Sequence, residues 1–265
     1  MLDPQELSLA QIKNLLENLA NQEEFPPKLI EILKEDERVG TQKILLTYLH
    51  KRESYELKCK YLKELANFDR SFSLELIGID EAGRGPLAGP VVAAAVRLDL
   101  NNISWAKGIN DSKKLSRNER QKLYKIIKEN ALDIGIGIVD APTIDEVNIL
   151  VATHQAMKQA TENLSQSDFL LLVDGLPVPL LGPSHVAVVQ GDAKSLSIAA
   201  ASIIAKETRD CIMEKLDQVC PGYGFAEHKG YGTKDHLKAL ETLGVSPVHR
   251  KSFLTKLTYK QGALF

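Results

Sequence analysis

Four carboxylates carry the chemistry this sequence could perform. Asp80 and Glu81 are adjacent and end the apolar run Leu76-Ile-Gly-Ile79; Asp174 ends Phe169–Val173, and Asp192 follows Val186–Val189 across Gln190 and Gly191. Acids delivered by the ends of separate buried strands repel one another, and that repulsion drives their pKa values upward. Divalent cations would remove the repulsion and supply a reaction at the same time, and an all-carboxylate set suits magnesium or manganese rather than zinc. The pair runs directly into Gly83-Arg84-Gly85-Pro-Leu-Ala-Gly-Pro90, an irregular, glycine-rich segment with one cation, as an anion-binding loop requires. Adjacent strand residues face opposite ways, so Asp80 and Glu81 can share a site only if the backbone turns there, which Gly83 and Gly85 would allow.

Other groups fit the chemistry less well. Asp210, beside Arg209 in a helical stretch, reads as an ion-pair member, and Asp111 in Asp-Ser-Lys-Lys as a loop or capping acid. The six histidines include no His-x-x-x-His and read as surface or substrate-facing. Cys59, Cys211 and Cys220 are odd in number and scattered, which argues for a reducing, cytosolic home without disulfides or a zinc site. Gly83-Arg-Gly-Pro-Leu-Ala88 satisfies the letter of G-x-G-x-x-G/A, but Pro86 and Pro90 bracket it and a β-like Val-Val-Ala-Ala-Ala-Val run follows. A dinucleotide site needs a helix there.

The elements that must position these residues follow from periodicity. Leu7–Leu19 has helical spacing, Phe25-Pro-Pro27 breaks it, and a second helix is predicted from about Gln42 to Phe68. Residues 43–70 hold 7 Lys/Arg against 4 Asp/Glu, a basic face read as solvated or as a nucleic-acid or partner contact. Near residue 70 the texture changes to short apolar runs, so 1–70 is expected to be a helical extension and 71–265 the catalytic domain. Strands are predicted at Leu74–Ile79, Val91–Leu98, Leu132–Val139, Phe169–Val173 and Val186–Val189. Ser116 and Glu119 have capping-box spacing for a helix to about Asn130, Thr143 and Glu146 for another to about Leu164, and Ser195–Val219 is a long helix. This alternation argues for a mixed α/β sheet flanked by helices, with ligands outside the strand ends. From Ala226 to Lys260 there are 7 Lys/Arg against 3 acids, interleaved with His228, His236 and His249, a mix that suits a nucleic-acid backbone. The net charge of -2 argues against a generally basic coat, and no stretch approaches the length of a membrane span.

From about residue 74 to 255 the chain resembles ribonuclease HII, the bacterial type 2 ribonuclease H. The resemblance rests on Gly78-Ile-Asp-Glu-Ala-Gly-Arg-Gly-Pro-Leu-Ala-Gly-Pro, Asp111-Ser-Lys-Lys-Leu-Ser, Leu172-Val-Asp, Gly191-Asp-Ala-Lys-Ser, Ser197-Ile-Ala-Ala-Ala-Ser-Ile-Ile-Ala-Lys, Thr208-Arg-Asp, Lys229-Gly-Tyr-Gly-Thr-Lys and His249-Arg-Lys-Ser-Phe. It implies an α/β, ribonuclease H-like fold and endonucleolytic cleavage of RNA in RNA/DNA hybrids. It also implies nicking 5′ to a ribonucleotide embedded in DNA, in the service of ribonucleotide removal. The family's metal-binding acids fall on Asp80, Glu81, Asp174 and Asp192, with two Mn2+ or Mg2+ ions implied. Its loop that reads the 2′-OH and adjacent phosphate falls on Gly83, Arg84 and Gly85, and its junction-reading tyrosine on Tyr231. Lys113, Lys114 and Lys194 resemble phosphate or active-site neighbours. A monomer is expected. The C-terminal Gln261-Gly-Ala-Leu-Phe echoes a peptide that binds the replication sliding clamp. The competing reading is a nucleic-acid-binding or strand-transfer protein on the same carboxylate-rich fold.

Overall fold

The computed structural model describes residues 7–19, 27–110, 112–165 and 169–255. The chain divides into two compact units, Met1–Lys63 and Glu64–Phe265. In the first, helices α1 (Leu9–Leu19) and α2 (Pro27–Glu35) and the start of α3 (Val39–Arg70) enclose a core of Ile12, Leu16, Ile30, Leu33, Leu45 and Tyr48. Helix α2 lies where the sequence reading saw only a break. Pro27 is its first residue, where the missing N–H is one the helix could not pair in any case.

The second unit contains β1 (Leu76–Ala82), β2 (Val91–Arg97), α4 (Arg117–Asn130), β3 (Asp133–Val139), α5 (Ala141–Val147), α6 (Ile149–Glu162), β4 (Leu170–Asp174), β5 (His185–Val188), α7 (Leu196–Val219), α8 (Phe225–His228) and α9 (Lys234–Leu243). The strands form one mixed sheet in the order β3-β2-β1-β4-β5, with β1 antiparallel to β2 and parallel to β4. Alternation along β1 sends Ile77 and Ile79 into a core with Ala152, Ala156 and Met157 of α6, while Leu76 packs with Leu172, Val188 and Ile198 on the α7 face. At Gly78 a Cβ would collide with the backbone of Ser197 and Ile198, so only glycine lets α7 lie this close to the central strand.

The capping signals resolve unevenly. Ser116 and Glu119 form the expected capping box on α4. The predicted helix from Thr143 to Leu164 is instead two helices: Asp140 caps α5 by accepting from Thr143 N–H, and Asn148, at φ 71°, ends α5 and caps α6. Asp140 takes the first turn because Ala141-Pro142 follows it, which starts the helix earlier than the Thr143 signal implied. Asp69, on the last turn of α3, accepts from both the N–H and the hydroxyl of Ser197 at 2.9 Å, fixing the N-terminal end of α7.

Candidate active site

Strand β1 continues through Asp80, Glu81 and Ala82, in register with Ala94, Ala93 and Val92 of β2. The backbone turn expected between the two acids is therefore absent, because antiparallel pairing to β2 carries the strand past them. Alternation places Asp80 on the α7 face and Glu81 on the other. The register Ile79↔Val173 brings Asp80 level with Asp174 at the end of β4. Asp192 sits beyond β5, in the 3-10 turn Gly191–Ala193 that leads into α7, and Gly191 N–H donates to Asp174 Oδ1 at 2.6 Å.

Asp80 is buried, and burial followed by the charges of Glu81 and Asp174 pushes its carboxyl well above the usual carboxylate range. Burial also raises Glu81, with Asp174 adding to the rise and Arg84 opposing it. Ser202 of α7 bonds to Asp80, and Ser202 Oγ lies 2.9 Å from Ser112 Oγ. Ser112 is thus the buried member of the Asp-Ser-Lys-Lys segment, connected to Asp80 through one hydroxyl. Asp111 lies outside the described residues.

Each of the four acids has its own partner: Asp80 bonds to Ser202, Glu81 holds Arg84 at 3.1 Å, Asp174 accepts from the Gly191 N–H, and Asp192 meets Lys113 at 3.5 Å. Among the described residues no three His, Cys, Asp or Glu side chains stand close enough to enclose a metal ion. The donor set nevertheless fits one in kind, since carboxylate oxygens at a buried edge where burial and like charge raise Asp80 and Glu81 are stabilised by a hard divalent cation.

The loop after the acids is shaped by two fully buried arginines. Arg250 donates to the carbonyls of Gly83 at 2.6 Å, Arg84 at 3.1 Å, Pro86 at 2.9 Å and Gly89 at 2.9 Å. Arg209 donates to Pro90 at 2.9 Å, Ala88 at 3.1 Å and Lys229 at 3.0 Å. Carbonyls drawn inward turn the N–H groups of the same trans peptides outward, so those of Arg84 and Gly85 point away from the Arg250 guanidinium. Gly83, at φ 94°, has no room for a Cβ, which would strike the Arg209 side chain. Asp210, read from the sequence as an ion-pair member, pairs with Lys206 at 2.7 Å and Arg120 at 3.4 Å.

Tyr231 is brought to the same loop. Leu87 N–H donates to the Gly230 carbonyl at 2.8 Å, and a Cβ built on Gly85 would lie 3.8 Å from the Tyr231 ring, which stays exposed. Lys113 and Lys114 are exposed near the Asp192 side of the edge, whereas Lys194, also exposed, turns its Nζ to the Val189 carbonyl at 2.7 Å. The C-terminal set expected to face a nucleic acid is divided: Lys229, His236, His249 and Arg250 are buried, whereas Lys234, Lys238 and Lys251 are exposed. Lys229 pairs with Glu214 at 2.7 Å, and the histidines pack on Tyr223 and Phe225. Glycine- and aromatic-rich segments bury cations when carbonyls are at hand to receive them, and the sequence signal for this was the embedding of Arg250 between His249 and Phe253.

A mixed sheet in this order, with carboxylates at the ends of β1 and β4, defines a ribonuclease H-like α/β fold. Ribonuclease H2 from Pyrococcus horikoshii OT3 matches with a TM-score of 0.58 at 28% identity, over 70% of this chain and 98% of that one. The ribonuclease HII of Archaeoglobus fulgidus, solved in complex with PCNA, matches at 0.57 and 26% identity, over 67% and 94%. The Ribonuclease HII family model matches residues 77–261, and that of the Ribonuclease HII N-terminal domain residues 8–73. Ribonuclease HII of Clostridioides difficile (strain 630) is 46% identical over 258 residues, 96% of this chain and 99% of the relative. That of Acetivibrio thermocellus is 50% identical over 218 residues, 80% and 83%. The chain belongs to the ribonuclease HII family and is a ribonuclease H, a hydrolase of RNA in RNA/DNA hybrids.

Proposed function

We propose that the chain cuts the RNA strand of RNA/DNA hybrids and nicks DNA 5′ to single embedded ribonucleotides, leaving a 5′-phosphate and a 3′-OH. The observation that carries this reading is the continuity of β1 with the loop at its end. Asp80 and Glu81 lie within a few residues of Gly85, and Gly85 lies against Tyr231. A cleavage edge and a surface for a sugar are thus held on one piece of backbone.

Asp80, Glu81, Asp174 and Asp192 would hold two divalent ions, Mg2+ or Mn2+, which when bound supply an activated water and neutralise charge on the phosphate and the departing 3′-oxygen. The outward N–H groups of Arg84 and Gly85 and the half-exposed Arg84 guanidinium bind a phosphate and the neighbouring 2′-OH. The Tyr231 ring packs against the sugar that precedes DNA, the one place where the presence of a 2′-OH distinguishes the substrate. Lys113 and Lys114, and Lys194 once released from Val189, add positive charge beside the backbone. Among the described residues no helix is long and apolar enough to cross a membrane, and Cys59, Cys211 and Cys220 are free; a cytosolic, ribonucleotide-removing role is part of the same proposal, supported by membership of the family. A sliding-clamp partner rests on the C-terminal peptide, which lies outside the described residues, and on the archaeal relative solved with PCNA.

A gel assay tests the reading on plain duplex DNA, an RNA/DNA hybrid and duplex DNA carrying one ribonucleotide, each with Mg2+, Mn2+ or EDTA. Cleavage of the last two, with metal only and 5′ to the ribonucleotide, is expected. Cutting of plain DNA would favour the strand-transfer alternative.

A further inference from the structure

Ser246, His249, His236 and Tyr231 are joined in that order by hydrogen bonds, and the first of them sets the direction of all the others. Ser246 N–H donates to His249 Nδ1 at 3.0 Å, and the Ser246 hydroxyl lies 2.7 Å from the same nitrogen. A ring nitrogen that accepts from an amide carries no proton, so neutral His249 keeps its proton on Nε2. That nitrogen faces His236 Nε2 at 3.0 Å, which makes His249 the donor and His236 the acceptor. His236 therefore carries its own proton on Nδ1, which points at the Tyr231 carbonyl at 2.9 Å.

The surroundings enforce this arrangement. His236 and His249 are 0% and 2% exposed, so water does not compete for their nitrogens. His228 is set by the same logic: Gly230 N–H donates to its Nδ1 at 3.2 Å, leaving Nε2 to donate to the Tyr223 carbonyl at 2.7 Å. Its ring stacks on His236 with centroids 4.4 Å apart, and Phe225 meets both rings edge-on.

Both ends of the chain lie where the substrate is read. The Tyr231 carbonyl also accepts from Thr233 N–H at 2.8 Å, and Tyr231 N–H donates to the His228 carbonyl at 2.9 Å, so the backbone of this residue is held from several directions while its ring stays exposed beside Gly85. At the other end, His249 bridges Ala88, and Gly89 N–H donates to the Val248 carbonyl at 2.8 Å. One backbone thus carries His249 and braces the loop of Gly83–Gly85.

We infer that Ser246, His249 and His236 form a positioning chain that sets Tyr231 against Gly85, making the two histidines determinants of specificity that never touch the substrate. The inference rests on the proposed reading of Tyr231 as the residue against the junction sugar. An asparagine at position 236 keeps an amide N–H near the place of Nδ1, whereas a glutamine extends past it toward Nε2 and leaves the Tyr231 carbonyl without that donor. Both variants lose the ring; Asn keeps the bond to Tyr231 and gives up the one to His249, Gln does the reverse, so the pair shows which of the two bonds sets specificity.

The test compares kcat/KM for DNA carrying one ribonucleotide with kcat/KM for an RNA/DNA hybrid. Loss of the one bond is expected to lower this ratio about tenfold in His236→Gln while His236→Asn stays within about twofold of the native enzyme. Equal ratios in the two variants would overturn the inference. Nitrogen-15 spectra of the native protein provide a check independent of any variant: His236 is expected as the Nδ1–H tautomer and His228 and His249 as Nε2–H, and an Nε2–H tautomer at His236 would overturn it. A native enzyme without preference for the single ribonucleotide would instead sink the functional reading, and the tautomers alone would then decide the hydrogen-bond chain.

Discussion

The acids at the end of β1 and the arginines behind the neighbouring loop are both buried charge, separated by a few residues of backbone and held in opposite ways. Arg209 and Arg250 donate to seven loop carbonyls between them, from Gly83 to Pro90 and at Lys229. Asp80 and Glu81 are buried near Asp174 without a cation for each carboxylate, and burial and the neighbouring acids raise their pKa values. Where charge supports the fold it is matched locally; where a ligand has to arrive, it is left at odds with its neighbours. In the proposed function, strain of this second kind would mark the reacting edge, and the first kind the frame that keeps it and the neighbouring loop in register.

That contrast can be broken from the frame side first. Arg250→Met removes the charge and keeps most of the volume, but leaves four carbonyls without their donor, so a loss of about 4 kcal/mol in urea unfolding is expected. A loss under about 1 kcal/mol would mean that the guanidinium is incidental to the loop.

Acid sharpens the comparison next. Burial, then the neighbouring His236, pushes His249 down to about 4. With a folded pKa below the unfolded value, the unfolded chain takes up the proton first, so stability is full above about pH 6.5 and falls as the pH drops toward 4. A decline on the order of 3 kcal/mol across that window is expected, and His249→Gln should flatten it.

The smallest effect has the opposite sign. Asp80 has a raised pKa in the fold, so its ionised form opposes folding at neutral pH, and Asp80→Asn in EDTA should raise stability by on the order of 1 kcal/mol. A destabilised variant would place Asp80 with the frame rather than with the reacting edge.

The apolar runs before Asp80, Asp174 and Gln190 made the sheet and its acid-bearing edge legible, because buried strands leave a continuous hydrophobic signal. The Ser116–Glu119 box was equally plain, since its two hydrogen bonds are local. What escaped was set by partners far along the chain. The straight course of β1 past Asp80 and Glu81 depends on pairing with β2. The burial of His236, His249 and Arg250 depends on carbonyls of residues 83–90 and 231, so a tail that is basic and aromatic in composition is partly interior. Asn148, at φ 71°, divides a predicted single helix because its side chain accepts from Leu150 and Val151 N–H, a cap invisible to hydrophobic periodicity.

Mn2+ binding, followed by calorimetry on the native protein, Asp80→Asn and His236→Gln, tests the division between edge and frame most directly. Binding should be lost or weakened by at least about tenfold in Asp80→Asn and unchanged in His236→Gln. Native affinity in Asp80→Asn would contradict the assignment of the acid edge as the metal centre.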